Sequence, residues 1–594
     1  MLTARCGAVL VAIATAFSLA ACARAPEPAD LLLLNGNVYT LDWPEPSIDS
    51  GRPSAQAPHG PDGWKGDARA IAIRSGMVVF AGSDRDAGRY RGTGTEVIDL
   101  HGATAIPGLV DAHVHILELG RKLERVDLVG VQTEQEAVDR VAAWAAKVPP
   151  GSWVVGYGWD DGAWANRYPD MTLLSARVPD RPVYLRGLHG YAVWGNRLAF
   201  ERAGITAATP SPPGGEVRKD RAGRPTGVLL NSAVGLLERA IPAETPGQLE
   251  EKVETALRAM AGAGYVAVHE AGADTALMNA IESLAAGRRL PVRMYAMLSG
   301  RDHDLLRRWI ARGADRSTDR FLTTRSVKIF FDGALGSRGA RLLADYSDAP
   351  GQRGVAGPEA GFDARLIAET MKAGFQLAVH AIGDGANREA LDYIESVQGR
   401  ADDLRTPSLR PASPVVAPET RHRVEHAQVL AAADIPRFAA LGVVASMQPP
   451  HAVEDMGWAE QRVGPDRVQR AYAWRALRKS GARLVFNSDL PGTDHDIFYG
   501  LHSAITRRDK TGQPRGGWYP DQRMSTEEAL RGYTTWAAYT AFAEKQTGVI
   551  APGRWADITV TDIDPLSVGE HDPDRLLRGH VEMTVVGGRI VYRR

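Results

Sequence analysis

The stretch Pro107-Gly108-Leu109-Val110-Asp111-Ala112-His113-Val114-His115 is an apolar run that ends in three polar groups. Residues i and i+2 of a strand point to the same face, so His113 and His115 can reach one metal ion. Seven comparable runs follow this first strand, which is read as Ala105 to Asp111. They are Tyr265 to His269, Val292 to Leu298, Ser326 to Phe331, Gln376 to His380, His422 to His426, Val443 to Met447 and Leu484 to Asp489. Helix-like stretches such as Leu366 to Ala373 and Ala431 to Ala440 lie between many of them. Eight strands alternating with helices predict an α/β fold, a (β/α)8 TIM-type barrel. Such barrels build their sites at the C-terminal strand ends. The fourth run carries Lys328, the fifth ends in His380, the sixth in His426 and the eighth in Asp489. Singly, each has a plainer reading. A strand-end His is often a hydrogen-bonded wall residue, Lys328 can serve as an ion-pair partner, and Asp489 can cap a turn. The argument rests on all six falling at strand ends of one barrel.

Outward from the barrel, one gap is too long for a simple crossover. Residues 117–262 separate the first two strands and contain strand-like pieces of their own, Trp153 to Tyr157 and Val183 to Leu188. They predict an inserted subdomain over the barrel mouth. Trp153, Trp159, Trp164 and Trp194 cluster there, either as an apolar lid over substrate or as the insertion's core. Both chain ends are β-like. Residues 31–104 and 548–594 predict one β-sandwich bracketing a barrel of 105–547, with Trp43 to Asp67 a surface loop rich in Pro, Gly, Ser and Asp. The 594 residues suffice for both units.

The first 21 residues read as a signal peptide: Arg5, then an apolar run from Gly7 to Leu19. That run is shorter than the ~20 residues of a membrane-spanning helix. Leu19-Ala20-Ala21-Cys22 resembles the bacterial lipobox, which implies a lipid on Cys22 followed by a tether over 22–30. A plain secretory signal is the alternative. Ala23 follows the cysteine, where an Asp would signal inner-membrane retention, so the expectation is a cell-envelope lipoprotein facing the periplasm at the outer membrane. Only Cys6 and Cys22 occur, so the body has no thiol and any metal must be held by His, carboxylate or modified Lys. The composition is 44% hydrophobic and 24% charged with a net charge of -1, which gives no basic surplus for nucleic acid. A membrane partner is expected through the lipid only, and a homodimer stays open.

The first-strand motif resembles that of the amidohydrolase superfamily. Val327-Lys328-Ile329-Phe330-Phe331-Asp332-Gly333-Ala334-Leu335-Gly336-Ser337-Arg338 resembles the branch called amidohydrolase family 3, which includes N-substituted formamide deformylase-like proteins. His380-Ala381-Ile382-Gly383-Asp384, His422-Arg423-Val424-Glu425-His426-Ala427-Gln428 and Asn487-Ser488-Asp489-Leu490-Pro491 fit the same branch. So do Gly156 to Trp159, His189-Gly190 and Pro225-Thr226-Gly227-Val228 in the insertion. The resemblance implies one or two divalent ions, zinc by default. His113 and His115 would hold one, His380 and His426 a second, and Lys328 would bridge them as a CO2-derived carbamate. Asp489 would bind metal and carry the proton. Gly187-Leu188 precedes His189 where the branch tends to have Asp-Gly, which leaves His189 open as a substrate contact or a wall residue.

Metal chemistry then suggests a mechanism. Bound hydroxide forms near neutral pH and attacks a carbonyl. Asp489 accepts the proton and returns it to the leaving nitrogen. The metal, with His189 or His269, steadies the oxyanion. The expected activity is hydrolysis of a small non-peptide amide, N-acyl or N-formyl, by a metal-dependent hydrolase. Alternatives are a cyclic amide or ester substrate, or a lipid-anchored binding protein without turnover. Trp159 and His269 are further candidates for substrate contact. His269-Glu270 and His451 read as cavity-lining residues that the metal count does not need, and His59, His101, His571 and His580 as surface residues.

Overall fold

Eight parallel strands neighbour one another in chain order. They are β1 (Leu109–Val114), β2 (Tyr265–Ala273), β3 (Arg293–Ser299), β4 (Leu322–Phe330), β5 (Gln376–Ala381), β6 (Arg423–His426), β7 (Val444–Met447) and β8 (Arg483–Phe486). The computed structural model describes residues 26–594 except 163, 165–166, 317–320, 358–360, 362 and 399–419; the expected signal and Cys22 lie outside the described residues. A parallel sheet of this kind is covered on both faces. Accordingly every residue of β1, β6 and β7 is buried. The ring closes between β1 and β8 by a short seam: Val114 bridges Leu490 in parallel, His115 N–H donates to the Leu490 carbonyl at 3.0 Å, and Asp489 N–H donates to the His113 carbonyl at 3.0 Å. The fold is TIM-type, as the alternation of elements predicts.

The two strands that form this seam differ from their sequence boundaries. The run expected as Ala105 to Asp111 is two strands. Thr104–Pro107 pairs with Ile558–Thr561 in another sheet, and β1 begins only after Gly108. Pro107 has no N–H for a central ladder. Gly108 is where the chain changes sheets: its N–H donates to the Asp557 carbonyl, and a side chain there would lie 2.4 Å from Val266. The eighth strand ends at Phe486 rather than Asp489, because Asp489 adopts the left-handed region at φ 56°.

A six-stranded mixed sheet of residues 126–231 follows β1. The helices flanking it, Ile116–Leu123 and Pro246–Gly262, belong to the barrel: Ile116, Leu119, Val253, Leu257 and Met260 join its apolar cluster. The separate unit is therefore shorter than 117–262. The long helix starts on a capping box, Thr245 with Gln248, and on Pro246 in its first turn. Gly120 lets the two helices meet, since a side chain there would strike the Lys252 carbonyl at 2.4 Å.

The chain ends form a four-stranded and a five-stranded sheet. The second pairs Asn37–Val38 and Thr104–Pro107 with Ile558–Thr561, Val581–Val586 and Arg589–Arg593. Leu31, Leu33, Ile71, Ile558 and Val585 from both sheets share one buried cluster. The segment Trp43 to Asp67, expected as a surface loop, is instead a strap. Trp43 and Trp64 are buried in the barrel's cluster, and the Trp43 indole N–H donates to Glu527 at 2.9 Å. Its His59 pairs with Glu570 at 3.0 Å.

The barrel joins the C-terminal sheet through a buried ion pair, Arg293 Nε to Asp557 Oδ2 at 2.8 Å, with the guanidinium 3.7 Å over the Trp555 ring. Removing one member strands the other charge in the interior, which typically costs about 3–5 kcal/mol. Asp557→Ala should lower the urea midpoint accordingly, while Arg293→Met with Asp557→Leu should recover much of the loss. Equal losses in the single and double variants would contradict this account.

Candidate metal centre

Four imidazoles surround one carboxylate at the C-terminal mouth of the barrel, and a fifth packs against one of them. Asp489 Oδ1 lies 3.3 Å from His113 Nε2 and 3.5 Å from His115 Nε2. Its Oδ2 lies 3.9 Å from His426 Nδ1 and 3.9 Å from His451 Nε2. The His380 and His426 ring centroids are 4.5 Å apart, and those of His113 and His426 are 5.3 Å apart. Lys328 Nζ, fully buried on β4, is 3.1 Å from His113 Nε2. All six residues expected at the strand ends therefore converge.

Backbone conformation accounts for two of these positions. Arg423 and Glu425 alternate on β6 and share its inner face. Alternation alone would send His426 to the other face, but its φ of 73°, followed by 43° at Ala427, turns the ring back inside. Asp489 is placed by its own left-handed φ and by its N–H bond to His113. Such outliers persist where surrounding bonds over-determine them.

Behind the imidazoles lies a closed set of polar partners. Glu425 Oε2 sits 2.6 Å from His113 Nδ1. Arg423 pairs with Glu425 and donates to the Ala112 carbonyl at 2.6 Å and to Ser446 at 2.8 Å. Asn487 donates to Ser446, Gln448 donates to Asn487 at 2.7 Å, and Gln448 Oε1 sits 3.0 Å from His426 Nδ1. These acceptors place the proton of His113 and His426 on Nδ1 and leave Nε2 with its lone pair. Asp111 accepts from Ser488 Oγ at 2.6 Å and from Ser488 N–H, tying β1 to the loop that carries Asp489.

The electrostatics favour ligation. Burial holds His113 and His380 well below the usual imidazole range, with the Lys328 charge contributing to both, and pushes His426 down to about 4. These rings are neutral at pH 7. Burial also pushes the Asp489 carboxyl up, but the hydrogen bond from His115 and the charge that His113, His426 and His451 carry in their protonated forms outweigh it and hold the group well below the carboxylate range. Burial lowers the Lys328 amine against the pull of Glu425 and Asp489. Burial raises Glu270 to about 7; its Oε2 accepts the Ile116 N–H at 2.8 Å, outside the imidazole ring set.

The donor set fits a divalent cation. The ligand atoms of His113, His115 and Asp489 lie within 4.8 Å of one another, as do those of His426, His451 and Asp489. His380 Nε2 is buried without a hydrogen-bond partner, 3.5 Å from Asp332 Oδ1. Asp332 is occupied by the N–H groups of Arg341, Ile382 and Gly383.

Three expectations change. Trp159 is a core residue of the insertion, fully buried with its indole N–H on the Leu185 carbonyl and its ring against Trp164 and Trp194. His269 is buried beneath the cluster, with Nδ1 accepting from Arg423 at 3.2 Å and its ring against Tyr295, so it faces protein rather than the mouth. His189 is more than half exposed on the insertion, and Asp160 at 3.6 Å is its ion-pair partner. His451, read only as a cavity residue, belongs to the centre. Arg423, Glu425 and Asn487 lie inside the motifs above with no role assigned, and Gln448 lies outside them. The i, i+2 pairing of Arg423 and Glu425 was the available signal; Gln448 and Asn487 carried none.

The chain belongs to the amidohydrolase family, whose sequence profile matches residues 96–592. Bacillus subtilis (strain 168) YtcJ, an amidohydrolase by name, is 31% identical over 88% of this chain and 96% of its own length. The N-substituted formamide deformylase of Arthrobacter pascens is 26% identical over 93% and 97%. The crystal structure of an uncharacterized metal-dependent hydrolase from Pyrococcus furiosus superposes with a TM-score of 0.68 at 27% identity, covering 90% of this chain and 99% of that one.

Outer partners of metal-bound histidines typically set 10–100-fold of metal affinity. Glu425→Gln should therefore weaken zinc binding by about that factor in competition with a chromogenic chelator. An unchanged affinity would show that Glu425 does not support His113.

Proposed function

We propose that this protein is a metal-dependent hydrolase that cleaves a carbon–nitrogen bond of a small non-peptide amide, with N-acyl and N-formyl amides as the substrate class. The observation that carries the reading is the pair of imidazole sets on the two oxygens of Asp489. Membership of the amidohydrolase family and the deformylase relative support it. A binding protein without turnover would have no need for so complete a donor set.

His113, His115, His380, His426 and Asp489 would hold one or two divalent ions, of which zinc suits the His and carboxylate donors. A cation held there supplies Lewis acidity toward the carbonyl and a water acidified to a pKa of about 7. Asp489, kept ionised by the surrounding imidazoles, accepts the proton of the attacking water and delivers it to the departing nitrogen. Glu425 and Gln448 keep the Nε2 lone pairs of His113 and His426 aimed inward. Lys328 cannot ligate as an ammonium. Burial favours its neutral amine, the form that adds CO2 with loss of a proton to give a carbamate and an anionic oxygen donor.

Asp489→Asn should lower kcat on an N-formyl or N-acyl amide by about 10²–10⁴-fold. Lys328→Ala should reduce bound metal per chain, measured by elemental analysis of the full-length protein. Turnover of no member of an amide panel by metal-loaded wild type would remove the substrate class, and unchanged metal in Lys328→Ala would remove the carbamate.

We further propose that Cys22 carries the lipid and that the enzyme acts from the outer membrane, facing the periplasm. Among the described residues no helix is long and apolar enough to cross a membrane. Labelled palmitate should enter the wild type and not Cys22→Ser; equal labelling of both would refute the anchor.

A further inference from the structure

The motifs pair His380 with His426 around a second ion, but the side chains group differently. Asp489 divides its two oxygens between two imidazole pairs, His113 with His115 and His426 with His451. His451 Nε2 stands as close to Oδ2 as His426 Nδ1 does, and its ring is nearly parallel to that of His426, 13° apart in plane with centroids 6.2 Å apart. We propose that His451 is a metal ligand, completing with His426 and Asp489 Oδ2 a cation subsite separate from the His113, His115 and Oδ1 subsite. The inference rests on the metal-dependent reading above.

Distances favour this grouping. Nitrogen and oxygen donors bind zinc at about 2.0–2.2 Å, so two donors of one tetrahedral ion lie roughly 3.3–3.5 Å apart. The His113 Nε2 and His115 Nε2 contacts with Oδ1 already have that spacing, and the His451 Nε2 contact with Oδ2 exceeds it by a few tenths of an ångström, while His426 meets Oδ2 with its Nδ1 edge. Ligand atoms of His426, His451 and Asp489 lie within 4.8 Å of one another.

The segment Gln448-Pro449-Pro450-His451 explains how the chain delivers both donors. Gln448 holds the Nδ1 side of His426. Pro449 and Pro450 then open the helix Pro449–Glu454 with fixed φ, which sets the backbone under His451. One short piece of chain after β7 thus orients one imidazole and supplies the next. His451 is also about one-fifth exposed, so the subsite opens toward the mouth. His380, on the far side of His426, contributes a buried Nε2 and can share the same ion, but it is absent from both clustered donor sets.

The test uses the full-length protein loaded with cobalt(II), whose visible absorption reports coordination. Wild type, His451→Ala, His451→Gln, His113→Ala and His380→Ala are compared for ions bound per chain, affinity against a chelator, and spectrum. Melting curves of the metal-free proteins control for folding. The expected result is loss of one bound ion in both His451 variants, or weakening beyond the about 10–100-fold typical of losing an outer partner, together with a changed spectrum. His113→Ala should affect a different ion. Unchanged stoichiometry, affinity and spectrum in folded His451→Ala or His451→Gln would overturn the proposal, even if turnover fell. A wild type that binds one ion dependent on His113 and not on His451 would overturn it too. A wild type that binds no ion at all would instead remove the metal-dependent reading itself.

Discussion

The seam that closes the barrel is the constraint on which the site depends. A parallel ring of eight strands must satisfy the backbone groups where the last strand meets the first. Here that is done by the loop after β8 rather than by a ladder. The Asp489 N–H on the His113 carbonyl and the His115 N–H on the Leu490 carbonyl complete the ring. The same bonds put the Asp489 carboxylate against both imidazoles of β1. Closing the fold and assembling the centre are one event, and Asp111, gripping Ser488 from β1, reinforces it.

The polar interior beneath the imidazoles is costly in isolation and tolerable as a closed network. Arg423 and Glu425 are both fully buried, yet the guanidinium meets Glu425, the Ala112 carbonyl, Ser446 and His269. Glu425 in turn fixes His113. The route from Arg423 through Ser446, Asn487 and Gln448 ends on His426. Strands β1, β6, β7 and β8 are thereby coupled through side chains, and the orientation of one imidazole set is linked to that of the other.

Much of this was legible along the chain. Eight apolar runs with chemistry at their ends imply a barrel because periodicity and strand-end placement are local properties. The candidate metal residues His113, His115, Lys328, His380, His426 and Asp489 could be named for that reason. Trp159 could not be placed, since a tryptophan in a motif has the same sequence signature whether it lines a cavity or fills the space between Trp164 and Trp194. His269 read as a cavity-lining candidate for substrate contact for a similar reason: its partner Arg423 lies 154 positions away.

By itself, then, the sequence determined the strand count, their order and the kinds of ligand atom available. The boundaries at Pro107-Gly108 and Phe486 were decided by tertiary structure, because a backbone N–H chooses among acceptors distant in the chain, and Gly108 found Asp557. So was the inward turn of His426, which contradicts strand alternation and exists only because neighbouring strands hold its φ positive. The grouping of four imidazoles about the two oxygens of Asp489 likewise depends on which loops meet over the barrel mouth, a property of the closed ring and of no single segment.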